Sequence, residues 1–384
     1  MTAVAVTGIG VVSAFGLGVR PFWEGLLSGA SALVPGEDGI PFGVVPAPAV
    51  RDVVRTPGGR RIDHASLLAL AAARLALADA GLDAAPPAPE RTGLAFGSSL
   101  GNLRETPAFM DRVLAKGAGN PLVFPNMVMN APLSYLSIEL GTTGPTAMVT
   151  EVEVSGEAAI AWGVRLVADG EVDACLAGAV DELSDVVPPV LGRAGGFTRR
   201  TARPHDRASD GRGLGEGAAV LVLEPLGRAR TRRARVYAEI EPHPGFGVRA
   251  PVHGHPTDAA AVAERLRPLA ADAALVVAAA TGQPAFDVLE ARVLAAAVGP
   301  GVPVLAPRGA IGDFGASGAL GVAAAALALH DGRVPPTAGC RLPAREGLDV
   351  VVGTPRRCRP DVALVSAIGR GGVCRPLRLA RSAA

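Results

Sequence analysis

Cysteine is scarce in this chain of 384 residues, and its four cysteines, Cys175, Cys340, Cys358 and Cys374, are far apart with no Cys-x-x-Cys pair. Neither a zinc knot nor a disulfide framework is indicated, and without a secretory leader the thiols are expected to stay reduced in a cytoplasmic protein. Charge is thin as well: 19% of residues are charged and the formal net charge is +1, which leaves no broad footprint for nucleic acid or an anionic membrane surface. Long apolar runs are missing, since none reaches membrane-spanning length without charge, Gly or Pro. The opening Met1-Thr2-Ala3-Val4-Ala5-Val6-Thr7-Gly8 lacks the basic stretch and long apolar core of a signal peptide. A soluble chain with no membrane and no nucleic-acid partner is expected.

What the chain does have is apolar bulk, 49% of its residues, and length enough for one big domain or two fused halves. Short apolar strands are predicted at Val4–Thr7, Thr92–Phe96, Ala147–Val152, Asp173–Ala177, Ala218–Leu223, Ala274–Ala278 and Val362–Val365. Between them lie Ala/Leu-rich helices at His64–Ala80, Gly156–Ala168, Asp258–Ala270, Ala285–Ala297 and Ser317–Leu329, several of them small and apolar all round. Such helices are buried on both sides, so the pattern predicts an α/β layered protein with buried sheets and a central helical layer. Pro- and Gly-rich stretches near Pro35–Pro48, Ala84–Pro89 and Glu241–Pro256 read as surface loops, and the best internal boundary lies near Pro225–Arg235.

Several local signals carry little chemistry. Gly8-Ile9-Gly10-Val11-Val12-Ser13 superficially matches a dinucleotide loop, but Ser13 stands where a third glycine is needed, so it reads as a tight turn after a buried strand. His243, His253 and His255 share one loop without a Cys or carboxylate to complete a ligand set, so no metal is expected. Arg228, Arg230, Arg232, Arg233 and Arg235 have the charge to dock an acidic carrier protein, although a solvated helix face is the better reading. Cys175 falls in a predicted buried strand and reads as core.

The informative segment is Gly144-Pro145-Thr146-Ala147-Met148-Val149-Thr150-Glu151-Val152-Glu153-Val154-Ser155-Gly156, which predicts a strand, a sharp turn and a helix N-terminus. Enzymes place activated nucleophiles in that geometry, because free backbone N–H groups and the helix dipole stabilise negative charge there. Here the tip is Glu153. The block resembles the Gly-Pro…Cys-x-Ser-Gly block of β-ketoacyl synthases with its spacing kept, and Glu153 stands at the nucleophilic cysteine. Val6-Thr7-Gly8-Ile9-Gly10…Ser13 with Phe22-Trp23-Glu24-Gly25-Leu26 is similar to the family's opening. Arg203-Pro204-His205-Asp206, Asp210-Gly211 and Gly215-Glu216-Gly217-Ala218 resemble its Arg-Pro-Phe-Asp…Gly-Glu-Gly signature. Thr281-Gly282-Gln283-Pro284 with Asp287 and Glu290 resembles the His-Gly-Thr-x-Thr-Pro…Asp…Glu block, which puts Ala279 at the first catalytic histidine. Gly315-Ala316-Ser317-Gly318 fits the end of the Lys-Ser-x-x-Gly-His block, with Pro307 at the lysine and Gly312 at the second histidine. Gly369-Arg370-Gly371-Gly372 resembles the C-terminal Gly-Phe-Gly-Gly loop, Ile368 and Arg370 replacing the gating phenylalanines.

The resemblance implies a thiolase-like fold, α/β, in layered α-β-α-β-α form with two similar halves, 1–225 carrying the Glu153 turn and 226–384. Condensation needs a thiolate and groups that stabilise charge at the thioester carbonyls, and Glu153, Ala279 and Gly312 do not supply them in the usual way. Glu153 is read as structural. Within the family this pattern resembles the chain-length factor, the inactive partner of an active ketosynthase in type II polyketide synthases. That likeness implies a heterodimer acting on acyl carrier protein with a phosphopantetheine-bound chain, a role in limiting chain length, and no cofactor. Glutamate departs from the glutamine common at this position, and the chain is compact between Tyr237 and Val276. The segment Arg104–Lys116 stands where the family has an interface helix, and Thr106, Phe109, Met110 and Val113 are candidate tunnel residues, with ordinary core packing the alternative reading of their stripe. The rival functions are a malonyl-carrier-protein decarboxylase of the loading-ketosynthase type, a non-enzymatic acyl-binding homodimer, and a condensing enzyme using a displaced thiol such as Cys175.

Overall fold

The computed structural model describes residues 2–36, 38–54, 62–83, 87–344 and 347–382. Met1 and parts of the predicted loops at 35–48 and 84–89 lie outside the described residues. Two sets of strands repeat one order. The first set is β1 (Val4–Ser13), β2 (Thr92–Gly97), β3 (Thr146–Val149), β4 (Ala174–Asp181) and β5 (Gly217–Pro225), aligned β1-β5-β4-β2-β3. The second is β6 (Ala238–Ile240), β7 (Leu275–Val277), β8 (Pro303–Leu305), β9 (Val362–Val365) and β10 (Leu377–Ala380), aligned β6-β10-β9-β7-β8. In each set the first strand runs antiparallel to the fifth and the fifth antiparallel to the fourth, while the fourth, second and third are parallel. The sets meet where Val4–Val6 of β1 pairs antiparallel with β6.

The parallel strands require helical crossovers, and these form the layers. Helices α1 (His64–Ala80) and α3 (Ala131–Leu140) pack together on the outside of the first set, with α2 (Thr106–Lys116) between them in sequence. Helices α5 (Ala259–Ala270) and α6 (Pro284–Ala297) pair in the same way for the second set. Between the sets lie α4 (Ser155–Ala168) and α7 (Ser317–Asp331), packed on each other and on strands of both sets. Every residue of α7 from Ser317 to Leu329 is buried, because an Ala- and Gly-rich surface lets strands approach it from all sides. The result is the layered, thiolase-like α-β-α-β-α architecture.

One expectation is corrected at the N-terminus. Gly8 and Gly10 do not make a turn: β1 continues through them to Ser13. Their role is close approach, since a Cβ on Gly10 would lie 1.8 Å from the Ala72 carbonyl oxygen of α1 and one on Gly8 2.3 Å from that of Ala76. The Pro35–Pro48 stretch also contains regular structure, Pro41–Gly43 pairing in parallel with Leu214–Gly215.

Candidate functional site

Strand β3 ends at Val149, short of the predicted Val152, and the chain turns through Val152–Val154 before α4 begins. Val152 has φ 51°, a conformation that a β-branched residue adopts only under strain. Ser155 holds this turn: its Oγ accepts the Glu151 N–H at 2.9 Å and donates to the Val152 carbonyl at 2.8 Å. Glu153 at the tip is gripped by the C-terminal loop, not by the helix N-terminus. Its Oε1 is 2.6 Å from Arg370 Nε, and its Oε2 accepts the Arg370 backbone N–H at 3.3 Å. The tip of the turn and the C-terminal loop are thus joined by a Glu153–Arg370 ion pair.

The interior behind this pair is occupied by Arg308, a residue that sequence reasoning passed over. Its side chain is 4% exposed, and its guanidinium donates from Nη1 to the Ala279 carbonyl at 2.9 Å and from Nη2 to the Glu153 carbonyl at 3.5 Å. Nη1 also lies 3.4 Å from Asp313 Oδ1, and Asp313 Oδ2 accepts from Arg212 at 2.7 Å. Burial works against the Asp313 charge, but the Arg212 and Arg308 guanidiniums overcome it and hold its carboxyl below the usual carboxylate range. One buried arginine therefore ties together the chain at Glu153, Ala279 and the residue after Gly312. The only sequence signal for it was a lone charge in the apolar, Gly-containing run Ala306-Pro307-Arg308-Gly309-Ala310-Ile311.

Buried carboxylates hold the surrounding loops in place. Glu290 Oε1 accepts the Ala279 N–H at 2.7 Å, and Asp287 accepts the N–H groups of Thr281, Gly282 and His205. Glu216 of the Gly-Glu-Gly segment accepts the N–H groups of Val45 and Leu183. The remaining cavity, about 120 Å³, is lined by Leu100, Glu153, Arg212, Asp313, Phe314 and Arg370 among others. That is well below the roughly 300–1,000 Å³ of sites that enclose drug-sized ligands. No thiol lines it among the described residues. Cys175 sits inside β4, where burial pushes its thiol up to about 12, so it is no displaced nucleophile.

Glu157, one turn into α4, is sealed in the same region, and Gly318 makes room for it: a Cβ there would lie 2.0 Å from Glu157 Oε2. Burial pushes the Glu157 carboxyl up to about 7 from 4.5, against the pull of Arg308. The folded chain therefore holds a proton there that the unfolded chain releases, and stability falls as pH rises between those values. A shift of this size is worth on the order of 3 kcal/mol. Glu157→Gln is expected to flatten the pH dependence of urea midpoints in this window and to raise stability at pH 8.

The four predicted tunnel residues lie elsewhere. Thr106, Phe109, Met110 and Val113 are all on α2, no residue of which is buried, so core packing does not explain the stripe. Phe109 leans on Phe124 with ring centroids 6.2 Å apart, while Met110 is 45% and Leu114 80% exposed. The arginines at 228–235 are largely self-neutralised: Arg228 pairs with Asp173, Arg232 with Glu224 and Arg235 with Asp79. The three loop histidines diverge. His255 stacks near Phe286, His243 Nδ1 accepts the Gly245 N–H, and His253 is exposed.

Comparison with known proteins agrees with this geometry. Residues 53–229 match the family model for the beta-ketoacyl synthase N-terminal domain and residues 257–341 that for the C-terminal domain. The chain is 33% identical to the tetracenomycin polyketide synthase ketoacyl synthase beta subunit of Streptomyces glaucescens, covering 96% of each. It is 31% identical to the alpha subunit of that synthase, over 98% of this chain and 97% of the relative. The solved ishigamide ketosynthase/chain length factor is 25% identical and superposes with a TM-score of 0.91 over 100% of both chains. On the strength of both domain matches and of relatives aligned nearly end to end, the chain belongs to the beta-ketoacyl synthase family.

Proposed function

We propose that this chain is the non-catalytic subunit of a type II polyketide ketosynthase pair, a chain-length factor that joins an active ketosynthase in elongating carrier-protein-bound chains with malonyl units. The observation that supports the reading is the filled interior: Arg308 and the Glu153–Arg370 pair crowd the turn that the family resemblance equates with the thiolate's. The likeness to a ketosynthase beta subunit and to a ketosynthase/chain length factor supports it. The decarboxylase alternative relies on histidines at the positions of Ala279 and Gly312, and the condensing alternative on a thiol that Cys175 does not offer.

A partner is further supported by two unfinished surfaces. Strand β3 ends its sheet with one edge unpaired among the described residues, and α2 presents Met110 and Leu114 to solvent while its Phe109 leans on the exposed Phe124. Uncovered strand edges and apolar patches of this kind mark association surfaces. In this reading Thr106, Phe109, Met110 and Val113 face the tunnel of the pair and set where a growing chain stops. The test is to purify the complex through a tag on this chain and assay malonyl-dependent elongation. Activity should vanish when the partner's cysteine is replaced and survive Glu153→Gln; activity that follows Glu153 would sink the proposal. Phe109→Ala should shift products to longer chains by mass spectrometry, and unchanged lengths from an intact complex would remove Phe109 from the tunnel.

A further inference from the structure

The segment Arg203–Asp206 turns a histidine into the protein at a cost in backbone energy. His205 has φ 56°, in the left-handed region that a residue with a Cβ seldom occupies. Its backbone is held there from both sides: the N–H donates to Asp287 Oδ2 at 2.8 Å, and the carbonyl accepts the Ala344 N–H at 2.7 Å. The ring that this delivers is 3% exposed, and its Nε2 stands 3.5 Å from Oε2 of Glu290, a carboxylate on α6 that is 0% exposed. Neither atom has an ordinary hydrogen bond among the described residues.

A carboxylate sealed from water holds its charge only against an opposite one. Burial works against both members of this pair, yet Glu290 and then Asp287 hold the ring above the ordinary histidine value of 6.5, and His205 with the Ser366 hydroxyl holds Glu290 below the usual carboxylate range. The other charged or titratable groups nearby are Arg203 and Asp206 on the histidine's own segment and Cys340, whose thiol burial pushes up to about 12. Beyond Glu290 lie Glu157 and Arg308. Glu290 Oε1 accepts the Ala279 N–H at 2.7 Å while Arg308 donates to the Ala279 carbonyl at 2.9 Å, so one peptide is pinned from two directions.

We propose that His205 and Glu290 form a proton-operated latch on the interior: with the ring protonated the Ala279 peptide is held against Arg308, and when the ring releases its proton to solvent Glu290 loses its counter-charge and its grip on Ala279. The folded chain binds this proton more tightly than the unfolded one, so the stabilisation is complete below about 6.5 and is lost as pH rises through the higher folded value.

The test combines nitrogen NMR of the histidine rings with hydrogen exchange at the Ala279 amide, on the full chain and on Glu157→Gln, which removes the other proton released in this range. Both nitrogens of the His205 ring, identified by the signal missing in His205→Phe, should be protonated at pH 6.5. As the ring titrates, protection of the Ala279 amide should fall about tenfold or more beyond the intrinsic effect of pH, the strength of a hydrogen bond to a charged group. Glu290→Gln should leave the ring neutral at pH 6.5. The double variant His205→Phe/Glu290→Gln buries no charge at either position and should protect Ala279 without a pH step, which keeps the test open where His205→Phe alone fails to fold. A neutral His205 ring at pH 6.5 in the native chain overturns the latch, as does a pH step at Ala279 that survives in the double variant. A ring still protonated in Glu290→Gln would assign its charge to Asp287 and overturn the pair.

Discussion

Arg308→Ala is expected to cost the isolated chain about 3–5 kcal/mol of stability, the range found when one member of a buried charge cluster is removed. The guanidinium is the common partner of Asp313, the Ala279 carbonyl and the Glu153 carbonyl, and it also faces the sealed Glu157 carboxyl. Its removal leaves the Ala279 and Glu153 carbonyls without this donor and Asp313 with Arg212 alone, and alanine fills none of the vacated volume. Urea unfolding of the chain alone is the measurement. Arg308→Lys keeps the charge but not the fork that reaches several acceptors, so it should recover only part of the loss. A wild-type midpoint in Arg308→Ala would mean that solvent already enters the site, contrary to the filled interior described above.

The second large effect is expected at Gly312, which the family resemblance sets at the second histidine. Gly312→His is expected to unfold the chain or leave it insoluble, with a loss above about 4 kcal/mol, beyond the ordinary run of single substitutions. Gly312 has φ 91°, a conformation that L side chains rarely adopt, and a Cβ there would stand 2.3 Å from the Leu214 carbonyl oxygen. Ala279→His, in ordinary backbone, is the matched control and should cost less, chiefly by crowding Arg308. Thermal unfolding of the two variants side by side gives the answer; equal and small losses would show that the 312 backbone can still accept a side chain. At Gly312 the backbone conformation and the Leu214 carbonyl leave no room for a side chain.

Much of this was legible from residues. The strand at Val362–Val365 and the helix at His64–Ala80 appear where composition and periodicity put them, because each is long or apolar enough to announce its own period. The strands β6, β8 and β10 were missed. Ala238–Ile240 and Pro303–Leu305 are only three residues each, too short to alternate, and Leu377–Ala380 mixes an arginine into its alternation. They are strands because neighbours on both sides complete their hydrogen bonds, a tertiary cause that local sequence does not carry. The same holds at the site. Motif spacing singled out Glu153, Ala279 and Gly312, but not the side chains that pack around them. That packing depends on Arg308 and Arg370 arriving from distant segments, and each alone reads as an ordinary charged residue.

The unpaired edge at Thr146–Val149 has a consequence for supply. A short, uncharged strand with its backbone open on one side is a template for any other extended chain, including another nascent copy of itself. Beside it lies an apolar groove around Trp162, and apart from its brevity the strand Thr146-Ala147-Met148-Val149 carries no lysine, proline or bulge to blunt the edge. Copies made in excess of whatever covers that edge would be withdrawn into aggregates instead of accumulating. On the pairing proposed above, the usable amount of this protein would then be set by the stoichiometry of synthesis, with the scarcer subunit fixing the yield.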